Sequence, residues 1–173
     1  MSELAQISDV AVSHLADRRP LLWAGATTFD ILLDGSQTSG SLGLLDQFGR
    51  RGDSTPLHVH RSEAEVFYLI EGSITAWAGD DSLVLDEGAA IYLPPDLPHA
   101  FRVDTDSARI LTLTTPAGFA DSVRTAGIPA EGDVPATWEF DLGRVMSAAP
   151  EYGIEILGPP PDNPPLPPER EPR

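Results

Sequence analysis

His58 and His60 stand two residues apart in GDSTPLHVHRSEAEVFYLIEG, residues 52–72. In an extended strand alternate side chains leave on the same face, so the two imidazoles can converge on one ion. After the turn residues Arg61 and Ser62 the chain resumes as AEVFYLIEG, an apolar, aromatic and β-branched run. Glu65 opens that run as a third candidate ligand from a neighbouring strand. His99, the next histidine along the chain, is the candidate fourth. Neutral imidazoles with one carboxylate suit a single divalent first-row ion, Fe, Mn, Co, Ni, Cu or Zn, and the lack of any thiolate argues against structural zinc. Such an ion accepts five or six ligands, and the positions left over admit water, dioxygen or a substrate oxygen. Glu65, by loosening from the ion, can serve as a general base at the same place. The remaining histidine, His14, has no partner pattern around it and reads as a solvated side chain. Glu63, beside Ser62 in the turn, is expected to be a solvated charge.

These groups must be positioned by strands. From Leu21 to Pro116 the segments LLW, TTFDILL, SLGLLDQFG, SITAWAG, SLVLDEG, AAIYLPP, HAFRV and ARILTLTTP are short, apolar and separated by turn residues. The pattern predicts an all-β fold of about eight to ten antiparallel strands, a sandwich or barrel. A closed or nearly closed barrel suits the chemistry, because ligands from different strands meet only where inward faces look at one another, and closure also removes exposed edges. Alternation places Glu65, Phe67 and Leu69 inside and Val66, Tyr68 and Ile70 outside. His99, Phe101 and Val103 are expected inside as well, and with them Ile91, Leu93 and Trp77. Phe67, Leu69, Trp77, Ile91, Leu93 and Phe101 are therefore the expected lining of an apolar substrate pocket. No arginine falls clearly inward, which disfavours a phosphorylated substrate; Arg102 should point outward by parity. The outer face is apolar too, so a second layer or a second copy should cover it, and a homodimer is expected.

Around this core the expected organisation is an N-terminal arm over 1–20, the barrel over 21–116, a helical or docking segment over 117–157 and a mobile Pro-rich tail over 158–173. GFADSVRTAG predicts a helix ended by Gly127, FDLGRVMSAA a second before Pro150, and YGIEILG one more strand or a docking arm. The 173 residues suit one hydrophobic core. A net charge of -16 should repel phosphate backbones and anionic membrane surfaces, so neither nucleic acid nor membrane is an expected partner. All basic residues are arginine, which excludes Schiff-base chemistry, and the absence of cysteine excludes disulfides and thiol nucleophiles. No basic stretch followed by an apolar run opens the chain, and a cytoplasmic protein is expected.

The spacing of Gly52, His58, His60, Glu65 and Gly72 resembles the first motif of the cupin superfamily at every fixed position. GAAIYLPPDLPHAFRV is similar to the second motif, with Gly88, Pro94 and His99 in place. Asp96 stands where the family usually has glycine, and Val103 where it often has asparagine; Asp tolerates the left-handed turn, and the second position is not a ligand. Within the superfamily the chain most resembles single-domain bacterial cupins related to quercetinase, the flavonol 2,3-dioxygenase. That likeness rests on HVHRSEAEVFYLIEG, LPPDLPHAFRV, TLTTPAGFADSVRTAGIPA and EYGIEILGPPP. The resemblance implies a jelly-roll-like barrel and one ion at His58, His60, Glu65 and His99. It also implies a flavonol or similar aromatic enol as substrate. Glu65 would take the hydroxyl proton, and dioxygen would cleave the heterocycle with loss of carbon monoxide. The same cage would also serve a non-redox isomerase, cyclase or lyase, or a small-molecule binder without catalysis.

Overall fold

Strand alternation becomes burial most plainly in GLLDQFGR, where Gly43, Leu45, Gln47 and Gly49 are buried and the residues between them reach outward. The computed structural model describes residues 10–135, 137–139 and 141–161. The first nine residues of the expected arm, and the expected tail beyond residue 161, lie outside them. Among the described residues the strands are β1 Leu21–Leu22, β2 Thr28–Leu33, β3 Gly43–Arg50, β4 Leu57–His60, β5 Ala64–Glu71, β6 Ser73–Ala78, β7 Asp81–Asp86, β8 Ala90–Leu93, β9 His99–Val103, β10 Ser107–Thr115, β11 Ile128–Pro129 and β12 Ile154–Gly158. All pair antiparallel, in a seven-stranded sheet β11-β1-β2-β3-β10-β5-β8 and a five-stranded sheet β12-β4-β9-β6-β7. The two sheets face one another as a jelly roll and are not hydrogen-bonded into the closed ring that the sequence suggested.

The inner faces meet in a core of Phe67, Leu69, Ile74, Leu93, Phe101 and Ile110. Gly72, between β5 and β6, has φ 83°, and a Cβ there would fall 2.3 Å from the Ser107 carbonyl oxygen, so only glycine fits this turn. Asp96 has φ 63°, the left-handed conformation expected where Asp replaces glycine.

Two helices follow the β core. Helix α1, Gly118–Ala126, lays Ala120 and Val123 on Phe29 and Leu45. Helix α2, Leu142–Ala148, is capped by Asp141, whose carboxylate accepts the Gly143 N–H at 2.8 Å. The chain then turns back as β12 and pairs with β4, Ile154 opposite His60 and Ile156 opposite His58. The segment read from sequence as lying beyond the barrel thus supplies a strand of the histidine-bearing sheet. Among the described residues no helix is long and apolar enough to cross a membrane.

Trp77 does not face the interior, contrary to the expectation from alternation. Trp77 pairs with Ala100 and Thr75 with Arg102, while Ala76 pairs with Phe101, so Trp77 shares Arg102's face and points away from the interior. Strand β6 turns Ile74, Ala76 and Ala78 inward, one step out of the phase the sequence suggested. Arg102 does leave the inner face, but it is buried: it pairs with Asp104 at 2.6 Å and lies 6.0 Å from the Trp77 ring centroid.

Candidate metal centre

Strand β4 is short, with the sequence LHVH, and its period of two turns both imidazoles to the interior with Val59 between them. His58 pairs directly with His99, the first residue of β9. Glu65 comes from the opposite sheet, one residue into β5. Side-chain ligand atoms of His58, His60, Glu65 and His99 all lie within 4.8 Å of one another, and all four residues are buried.

The orientation of each ring is set from behind. Nδ1–H of His58 donates to the Pro56 carbonyl at 2.8 Å, that of His99 to the Leu97 carbonyl at 2.8 Å, and that of His60 to the Glu63 carboxylate at 3.0 Å. With every Nδ1 engaged outward, the three Nε2 atoms turn toward Glu65: His99 Nε2 is 3.1 Å and His60 Nε2 3.9 Å from its Oε2. His60 Nε2 is buried with no hydrogen-bond partner among the described residues. Three imidazole lone pairs and a carboxylate aimed at one point, with the tautomers fixed by outer acceptors, are what one divalent transition ion requires. The donor set therefore fits such an ion, held by His58, His60, Glu65 and His99.

Charge in the cluster follows from burial and neighbours. Burial, reinforced by His99 and His60, lowers the pKa of His58 to about 3, which keeps it neutral and able to bind metal. Burial also opposes charge on His60, but the Glu65 and Glu63 carboxylates outweigh it and raise its pKa. For Glu65 burial favours the acid, yet the neighbouring imidazoles, His60 first, hold it below the ordinary glutamate value. Below the unfolded histidine value near 6.5, unfolded chains protonate His58 while folded ones do not, so the folded state binds fewer protons. The metal-free protein should therefore lose stability as the pH falls from about 6.5 toward 3, by at most about 1.4 kcal/mol per pH unit from this group. Urea unfolding at a series of pH values checks this, and a His58→Gln variant should show a flatter profile.

Glu63 corrects the expectation of a solvated charge: it is 2% exposed. One carboxylate oxygen holds His60, and the other accepts the backbone N–H of Phe119 at 3.0 Å. The turn at Arg61 and Ser62 tucks it under the start of α1, so one residue ties a ligand to the helix that follows the β core.

Beside the cage lies a cavity of about 470 Å³, with His58 and Glu65 in its wall. Of the expected lining, Phe67 and Phe101 border it, edge to face with centroids 5.5 Å apart. Leu69 and Leu93, with Ile91 against them, pack in the core and do not line it, and Trp77 lies on the other face. Among the described residues no arginine lines the cavity. Much of its wall comes from residues not singled out from the sequence: Trp23, Phe29, Phe119, Met146, Ile154 and Ile156. Ile154 and Ile156 were legible through the alternation IEI, and Phe119 through the amphipathic GFADSVRTA, but neither pattern says what the apolar face covers.

Residues 50–114 match the family described as Cupin domain. The chain is 25% identical over 165 residues to "Quercetin 2,3-dioxygenase" of Bacillus subtilis (strain 168), covering 92% of this chain and 48% of that protein. It spans less than half the length of the curated relatives it matches. A solved RmlC-like cupin from Shewanella frigidimarina superposes with a TM-score of 0.56 at 18% identity, covering 62% of this chain and 92% of that one. A "predicted oxalate decarboxylase" from Thermotoga maritima gives 0.58 at 15% identity, over 61% and 99%. At such identities the structural likeness is one of fold.

Proposed function

From the premise that this chain carries a cupin domain, with His58, His60, Glu65 and His99 placed to hold one divalent ion, we propose that it is a dioxygenase of flavonols or similar aromatic enols. The observation that carries the reading is the direct opening of a buried four-residue cage into a cavity rich in aromatic rings and lined, among the described residues, by no arginine. Bound there, the ion would supply Lewis-acid polarisation of the enol oxygen and a one-electron partner for dioxygen. Glu65, held ionised by its imidazole neighbours, takes the enol proton. The enolate then reacts with dioxygen: both oxygen atoms enter the products, two carbon–carbon bonds of the heterocycle break, and one carbon leaves as carbon monoxide. The proton on Glu65 passes to the remaining ester product. Phe67, Phe101 and Phe119 exclude water from the enolate while it forms. The curated relative named for quercetin supports the substrate class.

Protein loaded separately with Fe, Mn, Co and Ni, and offered flavonols and other aromatic enols at an oxygen electrode, tests this. At least one metal form should consume dioxygen and release carbon monoxide in equal amounts. If no form consumes oxygen, the dioxygenase reading fails. Turnover without oxygen would place the chain among non-redox cupin enzymes, and saturable binding without turnover among binders.

The same reading has two copies associating through the outer face of the seven-stranded sheet, where Tyr68 and Tyr92 stand exposed on the adjacent strands β5 and β8. Sedimentation at micromolar concentration should give twice the 18.5 kDa of one chain, and Tyr68→Asp with Tyr92→Asp should halve it. A wild-type protein that sediments as a monomer throughout would remove the dimer.

A further inference from the structure

One wall of the cavity is a row of edge-to-face rings leading away from the cage. The Phe119 ring is 5.6 Å from that of His60, Phe29 is 5.8 Å from Phe119, and Trp23 is 5.5 Å from Phe29. Two polar side chains stand beside the far part of this row. Gln47 is the cross-strand partner of Phe29 and shares its face; Ser122 lies one helical turn beyond Phe119 on α1. Both line the cavity, and they are only 3% and 2% exposed. The Gln47 amide oxygen accepts from Thr112 Oγ1 at 3.4 Å. The Gln47 amide nitrogen and the Ser122 hydroxyl are not among the buried polar atoms left without a partner, and both side chains border the cavity. In a cavity walled largely by apolar side chains these two polar groups are able to pair with a ligand oxygen that reaches them.

We infer that Gln47 and Ser122 are the distal recognition point for a phenolic hydroxyl. A planar ligand of two or three aromatic rings extends along the Phe119 and Phe29 wall with its enol oxygen at the cage. The hydroxyl of its far ring donates to Ser122 Oγ and accepts from Gln47 Nε2. Phe29, the cross-strand partner of Gln47, is reached from His60 in two ring-to-ring steps of 5.6 and 5.8 Å, which points to ligands of two or three rings. This inference rests on the aromatic-enol reading and adds the group that selects among such molecules. Gln47 and Ser122 are specificity residues, remote from the reacting carbon atoms.

The test uses protein loaded with redox-inert zinc under nitrogen, so that nothing turns over. Binding of 3-hydroxyflavone and of its analogue carrying a hydroxyl at the para position of the pendant ring is followed by quenching of tryptophan emission. The wild type should bind the hydroxylated compound about tenfold more tightly. Gln47→Leu and Ser122→Ala should each shrink that preference to about twofold. Equal binding of the two compounds by the wild type, or a preference that survives in both variants, overturns the inference alone. Binding of neither compound overturns the aromatic-enol reading and this inference with it.

Discussion

His58→Ala protein is expected to be purified nearly free of transition metal, whereas the wild type carries it. His58 contributes an Nε2 that cannot be replaced locally: its ring is fixed by the Pro56 carbonyl and faces His99 at a centroid distance of 4.3 Å. Four-ligand sites with apparent binding free energies of 10–16 kcal/mol draw about 3 kcal/mol from each ligand, so removing one lowers affinity by roughly a hundredfold or more. The fold should survive, because His58 is held neutral and its loss leaves no unpaired charge. Elemental analysis measures the first effect. Thermal unfolding with and without added cobalt(II) separates it from misfolding: saturating metal at a hundred times the dissociation constant adds about 2.7 kcal/mol to the wild type and little to the variant. Glu65→Ala should also weaken binding, though by less, since the three imidazoles remain. A His58→Ala protein that retains its metal would place the ion elsewhere.

Removing Glu63 should give the second-largest effect, although it is no ligand. Its carboxylate holds His60 Nδ1–H and the Phe119 N–H; Glu63 and His60 are buried, and Phe119 is half-buried. Glu63→Ala frees the imidazole to rotate, and outer acceptors of this kind are typically worth 10–100-fold in metal affinity. It also leaves a backbone donor at the start of α1 and a buried histidine without their carboxylate, a loss of about 3 kcal/mol in stability. Glu63→Gln keeps an oxygen for His60 but sets an amide nitrogen against the Phe119 N–H, so it should fall between wild type and alanine on both scales. Isothermal titration with cobalt(II) and urea unfolding give the two scales. A metal affinity unchanged in both variants would reduce Glu63 to a structural ion pair.

The difference between these two residues explains what was legible in the sequence. His58, His60 and Glu65 declare themselves through strand parity, a local rule, and Gly72 through a turn that admits no Cβ. Glu63 lies in the same stretch, yet its role depends on Phe119, whose backbone reaches it from 56 residues further along the chain. No local pattern carries that. Trp77 was misplaced because a face assignment inherits any error in where its strand begins, and β6 pairs one step out of the expected phase. The expected jelly-roll-like antiparallel fold is present, as two facing sheets that do not close into a ring. The chain completes the site with α1 and with β12, the edge strand of the five-stranded sheet that borders the cavity. Ile154 and Ile156 could be recognised as a strand, but not as the neighbours of His60 and His58. Local chemistry was therefore readable from spacing, and the surroundings that decide the substrate were not.

The most direct test of the metal centre is a titration of chelator-stripped wild-type protein with cobalt(II), with bound metal measured per chain. Saturation at one ion per chain is the expected result, lost when His99 is replaced by alanine. A protein that takes up no cobalt, or takes up the same amount without His99, would contradict the four-residue cage.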